Sequence, residues 1–129
     1  LMAHHNIYKV WAWTGGHADG EADLLAVALR EAREETGAGH IRPLSSAIAS
    51  VEILPVWGHE KRGVYVPAHL HLNVSYLLTA HREDPLTVRE GENSQVAWLP
   101  ADRLLELTNE WQMEEVYTKL LERGRTLLA

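Results

Sequence analysis

The chain contains no cysteine. That excludes disulfides, cysteine-ligated zinc and a thiol nucleophile, and it fits the reducing cytoplasm. Phenylalanine is missing too, although tryptophan occurs five times; the bias has no physical account. Basic residues fall short of acidic ones, 12 against 18, for a formal charge of −6. Duplex nucleic acid is therefore disfavoured as a partner, because phosphate contacts rest on clustered Lys and Arg. A small polyphosphate can still bind if a divalent cation stands between it and the acidic chain. No apolar stretch reaches the length of a membrane span and no signal-peptide pattern is visible, so a cytoplasmic location without a membrane partner is expected.

What is present is ordinary globular material: 129 residues, 46% apolar and 23% charged, read as one domain over 1–129. The chain opens inside strand-like sequence, LMAHHNIYKVWAW, so the expectation is that residues ahead of Leu1 are missing. A sheet edge left open in this way invites pairing, either with that missing segment or with another chain, as in a homodimer. Strands are expected over 7–13, 45–58, 64–80 and in QVAWL, with a turn at HEKRG. Helical spacing runs over 22–36 with Gly37 placed as its C-cap. A short helix follows Pro100, and an amphipathic helix covers 110–123. Strands interleaved with a few helices imply an α/β domain.

The 22–36 helix holds the first chemical signal. Leu24, Val27 and Ala28 lie on one stripe, and the same stripe continues into Glu31, Glu34 and Glu35. Carboxylates that extend a core-directed face are costly unless paired or bound to a cation. Arg30 and Arg33 point mainly to the flanking side. Two readings stand side by side here: a solvated charged face, or an oxygen-ligand site for Mg²⁺ or Mn²⁺.

The stretch from "GG" to "REAREETGA" resembles the Nudix box. Counted back from Arg30, the box glycine is Gly16, and Arg30, Glu31, Ala32, Glu34, Glu35, Gly37 and Ala38 all fall on the family pattern. The first glutamate of the pattern is replaced by Ala22, with Glu21 and Asp23 as neighbours able to take over its bracing of Arg30. The resemblance implies an α/β/α sandwich around a mixed sheet, here short of N-terminal strand. It implies a Mg²⁺- or Mn²⁺-dependent pyrophosphohydrolase of the MutT-like type. Such an enzyme cleaves a nucleoside diphosphate linked to another moiety, such as a nucleotide-sugar, a dinucleotide, ADP-ribose or a nucleoside triphosphate. It further implies Glu31, Glu34, Glu35 and the Gly16 carbonyl as metal ligands or base. An acidic residue ahead of the Trp98 strand, Glu92 or alternatively Glu90, would be a general base or further ligand. Attack would come from metal-activated water, with no covalent intermediate.

Other residues are weaker candidates. Arg30, Lys61 and Arg62 could meet substrate phosphate, although a solvated turn is the plainer role for the last two. Tyr8, Trp11 and Trp13 could stack on a flat group or simply pack, and Trp13 is kept as a substrate candidate. His69, His71, Asn73 and Ser75 share one face of a strand, which suggests a cleft wall. A histidine metal site there lacks a third ligand. Isopentenyl diphosphate isomerase, a related fold with carboxylates and metal, relies on a catalytic cysteine that this chain does not have. A non-catalytic Nudix-like domain that senses a nucleotide or sugar is the alternative, and Ala22 speaks for it.

Overall fold

The computed structural model describes residues 1–129. In chain order the elements are β1 (Met2–His5), β2 (Trp11–Ala12), α1 (Leu24–Thr36), β3 (Arg42–Pro43), β4 (Ser50–Val56), β5 (His59–Lys61), β6 (Val64–Val66), β7 (His69–Ser75), β8 (Leu78–Thr79), β9 (Asn93–Ala97), α2 (Leu104–Thr108) and α3 (Glu114–Leu128). The class is α/β with three helices. Short 3₁₀ turns, Ala101–Arg103 and Trp111–Met113, lead into α2 and α3, so the last helix starts later and runs further than its apolar spacing indicated.

Residues 7–13 do not form one strand. The chain reverses between β1 and β2, pairing Ala3 with Ala12, and Lys9 takes φ 57° in the turn. His5 Nδ1 accepts the Ile7 amide at 3.1 Å, so a side chain captures a donor that a strand would have used in its ladder. On its other side β1 pairs with β9, with Met2 opposite Ala97.

Residues 42–79 form a single long hairpin. The β3–β8, β4–β7 and β5–β6 ladders nest inside one another, with Arg42 opposite Thr79, Val56 opposite His69 and His59 opposite Val66. Its tip is tighter than the turn expected at HEKRG. His59 to Lys61 are strand, and only Arg62 and Gly63 turn, both at positive φ (53° and 76°), the pattern of a type I′ hairpin. The long strand expected over 64–80 is three pieces. Pro67 has no amide to pair and breaks it after β6. Every pairing is antiparallel, so the ladders do not make the mixed sheet that the resemblance implied. A parallel pair needs a long crossover, and here the paired strands are the arms of nested or adjacent hairpins, or β1 against the distant β9.

Only 16 of 129 residues are buried, and eight of them form two small apolar clusters of five and three. One joins Met2 to Leu104, Met113, Val116 and Tyr117, with Trp11, Trp13 and Leu54 packed against it. The other joins Ala32, Ala38 and Ile41, flanked by Leu29, Leu78 and Leu86. The hairpin lays one face toward the first cluster, and Glu52 pairs with Lys119 of α3. Its outer face stays open: Ile53 is 68% and Leu72 74% exposed, directly opposite each other across the ladder. No helix is long and apolar enough to cross a membrane.

Candidate functional site

Helix α1 positions the carboxylates. Asp23 caps it by accepting the Ala26 amide at 3.1 Å, and Gly37 closes it in the left-handed region at φ 73°. Between these ends Val27, Ala32 and Thr36 are buried. Glu31 lies beside them with its side chain 12% exposed, whereas Glu34 stands on the shoulder at 45%.

The loop before the helix folds down onto these groups. The Gly15 amide donates to Glu35 Oε1 at 2.9 Å. Gly16 lies so close to Glu31 that a Cβ placed on it would come within 2.5 Å of the carboxyl carbon, so any side chain here would displace that carboxylate. Burial pushes the Glu35 carboxyl up to about 7. The Gly15 amide opposes that, and the negative charges of Glu31 and Glu92 add to it.

A cation from the far side completes the cluster. Arg89 Nη1 lies 3.2 Å from Glu31 Oε2 and 3.3 Å from Glu34 Oε2. Partial burial works against its charge, but Glu92, Glu31 and Glu34 outweigh it and raise its pKa. Buried Asn93 sets this arginine: its Oδ1 accepts the Arg89 amide at 3.0 Å and its Nδ2 donates to the Glu35 carbonyl at 3.1 Å. The Thr87 amide donates to the Thr36 carbonyl at 2.8 Å, so residues 87–93 lie along the end of α1. Sequence reasoning missed Arg89 and Asn93. Both act across 58 positions, and no local periodicity marks them.

The NUDIX domain family model matches residues 1–120. The chain belongs to the Nudix family. No curated protein matches it.

The Nudix box therefore runs from Gly16 to Ala38 and departs from its pattern at Ala22, which is exposed. Neither neighbour takes over that glutamate's role. Asp23 is committed to capping the helix, and Glu21 accepts the Asp23 amide at 2.9 Å. Arg30 is left with one ion pair, 3.9 Å to Glu31, and its own side chain is 47% exposed. Arg33 donates to the Ile41 carbonyl at 3.2 Å and stays clear of the carboxylates.

This Nudix domain offers a hard-oxygen donor set suited to Mg²⁺ or Mn²⁺. The three carboxylates do not converge as a triad within 4.8 Å; Arg89 stands between Glu31 and Glu34 instead. That spacing does not exclude Mg²⁺, which usually takes one or two carboxylates and completes its shell with water or phosphate.

The remaining candidates fall at two cavities. One, about 160 Å³, gathers Lys61 and Arg62 from the hairpin tip with Glu92 and His5. Tyr8 and His59, 3.2 Å apart, tie that tip to the β1–β2 turn. The Glu92 carbonyl accepts the Asn6 amide at 3.0 Å, while Glu90 is exposed. The other cavity, about 180 Å³, lies between the inner face of the hairpin and the start of α3, lined by Trp13, His71, Asn73, Glu110 and Gln112. Trp13 also meets Tyr117 edge-on at 5.7 Å, so it packs and lines at once, whereas Trp11 packs on the core and against His4. Burial raises the Glu110 carboxyl, which Tyr117 counters by donating to it at 3.4 Å. Burial, then the neighbouring His17 and His69, hold His71 below the usual imidazole range.

One trio does bring three ligating atoms within 4.8 Å: His40, His81 and Asp84. Its geometry is that of a clip. The two imidazoles stack at 4.4 Å with planes 12° apart, so their in-plane lone pairs run parallel and do not meet at an ion. Asp84 is taken up by the His40 Nδ1 at 2.8 Å and the His40 amide at 2.8 Å, which fastens the loop after α1.

Proposed function

We propose that this Nudix domain is a Mg²⁺- or Mn²⁺-dependent pyrophosphohydrolase of a nucleoside diphosphate linked to another moiety. The observation that carries the reading is the inward placement of Glu31 and Glu35 beneath the Gly15–Gly16 loop, with Glu34 beside them. Glu31, Glu34, Glu35 and the Gly16 carbonyl are the groups that would hold the cation. When bound, the ion neutralises pyrophosphate oxygens and makes an attacking water more acidic.

The chain's own groups supply the rest. Glu35 sheds its proton before it can act as a ligand, so the site loads as pH rises through about 7. Arg89, paired here with Glu31 and Glu34, would be free to meet substrate phosphates once a cation took those carboxylates. Glu92 takes the proton from the attacking water, with Lys61 and Arg62 across the same cavity to meet phosphate oxygens. Arg30, exposed beside Glu31, is a further phosphate contact. Trp13 and the His69–His71 strand form the wall against which the rest of the substrate lies. The open outer face of the hairpin supports self-association of the chain as a homodimer, and the location is proposed as cytoplasmic.

The test is product release from nucleotide-sugars, dinucleotides, ADP-ribose and nucleoside triphosphates with Mg²⁺ and Mn²⁺, beside Glu34→Gln plus Glu35→Gln. Metal-dependent turnover that the double variant loses supports the reading. Arg89 favours a second one, a non-catalytic sensor, because it already neutralises two of the carboxylates and Ala22 leaves Arg30 unbraced. Tight binding of one of these compounds without turnover would select it.

A further inference from the structure

The geometry points to a second, softer metal site in this domain, built from the imidazoles of His17, His69 and His71. Strand β7 puts His69 and His71 on one face, His71 half-buried and His69 exposed at its end, and His17 follows directly on Gly16 of the box loop. The third ligand that the strand alone lacks therefore arrives from 54 positions away. His69 Nε2 lies 3.0 Å from His71 Nε2, and His17 Nε2 lies 3.4 Å from that same atom. Two imidazoles bound to one tetrahedral Zn²⁺ at ~2.0–2.1 Å hold their nitrogens roughly 3.4 Å apart, so the His17–His71 spacing suits a shared ion, while the His69–His71 contact is a hydrogen bond that an ion would replace as it spreads the pair slightly.

Ring orientation agrees. His69 and His71 meet at 62° and His17 and His71 at 83°, T-shaped rather than stacked, and in each pair the Nε2 atoms lie closer together than the ring centres. The stacked His40–His81 pair lacks this property. His69 also carries the outer support that metal-binding histidines need. Its Nδ1 donates to the Pro67 carbonyl at 2.8 Å, which places the proton on Nδ1 and leaves Nε2 free to bind.

The three nitrogens run as a chain from His69 through His71 to His17, with the His69 and His17 ends more than 4.8 Å apart. The His69–His71 pair is preformed, and a rotation of the exposed His17 side chain closes the third bond. With three nitrogens and no carboxylate, the set selects Zn²⁺, Co²⁺ or Ni²⁺ over Mg²⁺. Three protein ligands leave a fourth position open, and His71 borders the cavity lined by Trp13 and Asn73, so that position is reachable by a ligand from the cleft.

Untagged protein is titrated with Co²⁺ and followed by its visible absorption, with Zn²⁺ added afterwards as competitor. Four-coordinate Co²⁺ gives an intense band, and Zn²⁺ should remove it. His17→Asn and His71→Asn should each weaken binding by more than about tenfold, the least that even an outer partner of a ligand is worth. Glu34→Gln plus Glu35→Gln should leave the band in place, as should His40→Asn plus His81→Asn. His17 is exposed on a loop, so His17→Asn decides the matter even if His71→Asn fails to fold. Absence of the band overturns the site. So does a band that survives His17→Asn, or one lost with the glutamates.

Discussion

Helix α1 and strand β7 both turn polar side chains inward where a globular protein would place apolar ones, and they settle the cost differently. On α1, inward Glu31 and Glu35 are answered from outside the helix by Arg89 and the Gly15 amide. On β7, half-buried His71 and its exposed neighbour His69 answer mainly to each other and to His17, while Leu70 and Leu72 on the opposite face are left to solvent. A carboxylate cluster cannot satisfy itself, because like charges repel, so it needs a fixed cation or a bound one. Neutral imidazoles can share protons, and such a face persists without an outside partner. The two surfaces meet at Gly16–His17, where one residue approaches Glu31 and the next reaches His71.

The largest effect that separates the two belongs to turnover. Glu34→Gln plus Glu35→Gln should lower metal-dependent product release by about a thousandfold, roughly 4 kcal/mol of barrier, whereas Leu72→Thr on the outer face should leave it unchanged. Steady-state rates with a substrate from the panel check this. Equal losses would erase the distinction between inner and outer faces.

Next comes a pH signature of the inward carboxylate. Glu35 titrates at about 7 in the folded protein against an ordinary 4.5, so between these values the folded state keeps a proton that the unfolded chain has released. Stability of the metal-free protein therefore falls as pH rises through that window and stays lower above it. Glu35→Gln should be more stable than the parent at pH 8 by on the order of 2 kcal/mol and no different at pH 4. Urea unfolding at the two pH values measures the difference; a variant less stable at pH 8 would contradict the assigned burial cost.

Asn93→Ala should cost about 1–3 kcal/mol, since it orphans the Arg89 amide and the Glu35 carbonyl where they are least reachable by water. The same unfolding experiment reads it, together with a loosened Arg89. The smallest effect belongs to the open face. Leu72→Thr should move stability by less than about 0.5 kcal/mol in the monomer. A larger loss, or a change in oligomeric state by light scattering, would mean that a second copy covers this face.

How much of this was legible in the sequence follows from how local each signal is. Helix α1 was readable to within two residues from its spacing and its Gly37 stop, and its start was set two residues early because Asp23 was not read as the cap. The inward run of carboxylates came from the same spacing. Residues 7–13 misled because β propensity is a tertiary matter, and a His5 side chain capturing nearby amides outweighed it. The long strand over 64–80 was overextended across Pro67, whose missing amide was visible all along. The polar face of β7 was read correctly as one face, but its third histidine was not, since nothing in the local sequence connects His17 to His71. Arg89 and Asn93 were hidden for the same reason, behind an acidic loop whose glutamates drew the eye.

The most direct measurement is Mn²⁺ titration followed by electron paramagnetic resonance, comparing the parent with Glu31→Gln plus Glu34→Gln plus Glu35→Gln. The carboxylate centre on α1 predicts that the parent removes free Mn²⁺ from solution at pH 8, and that the triple variant, still folded by circular dichroism, does not. Equal Mn²⁺ uptake by both proteins would contradict it.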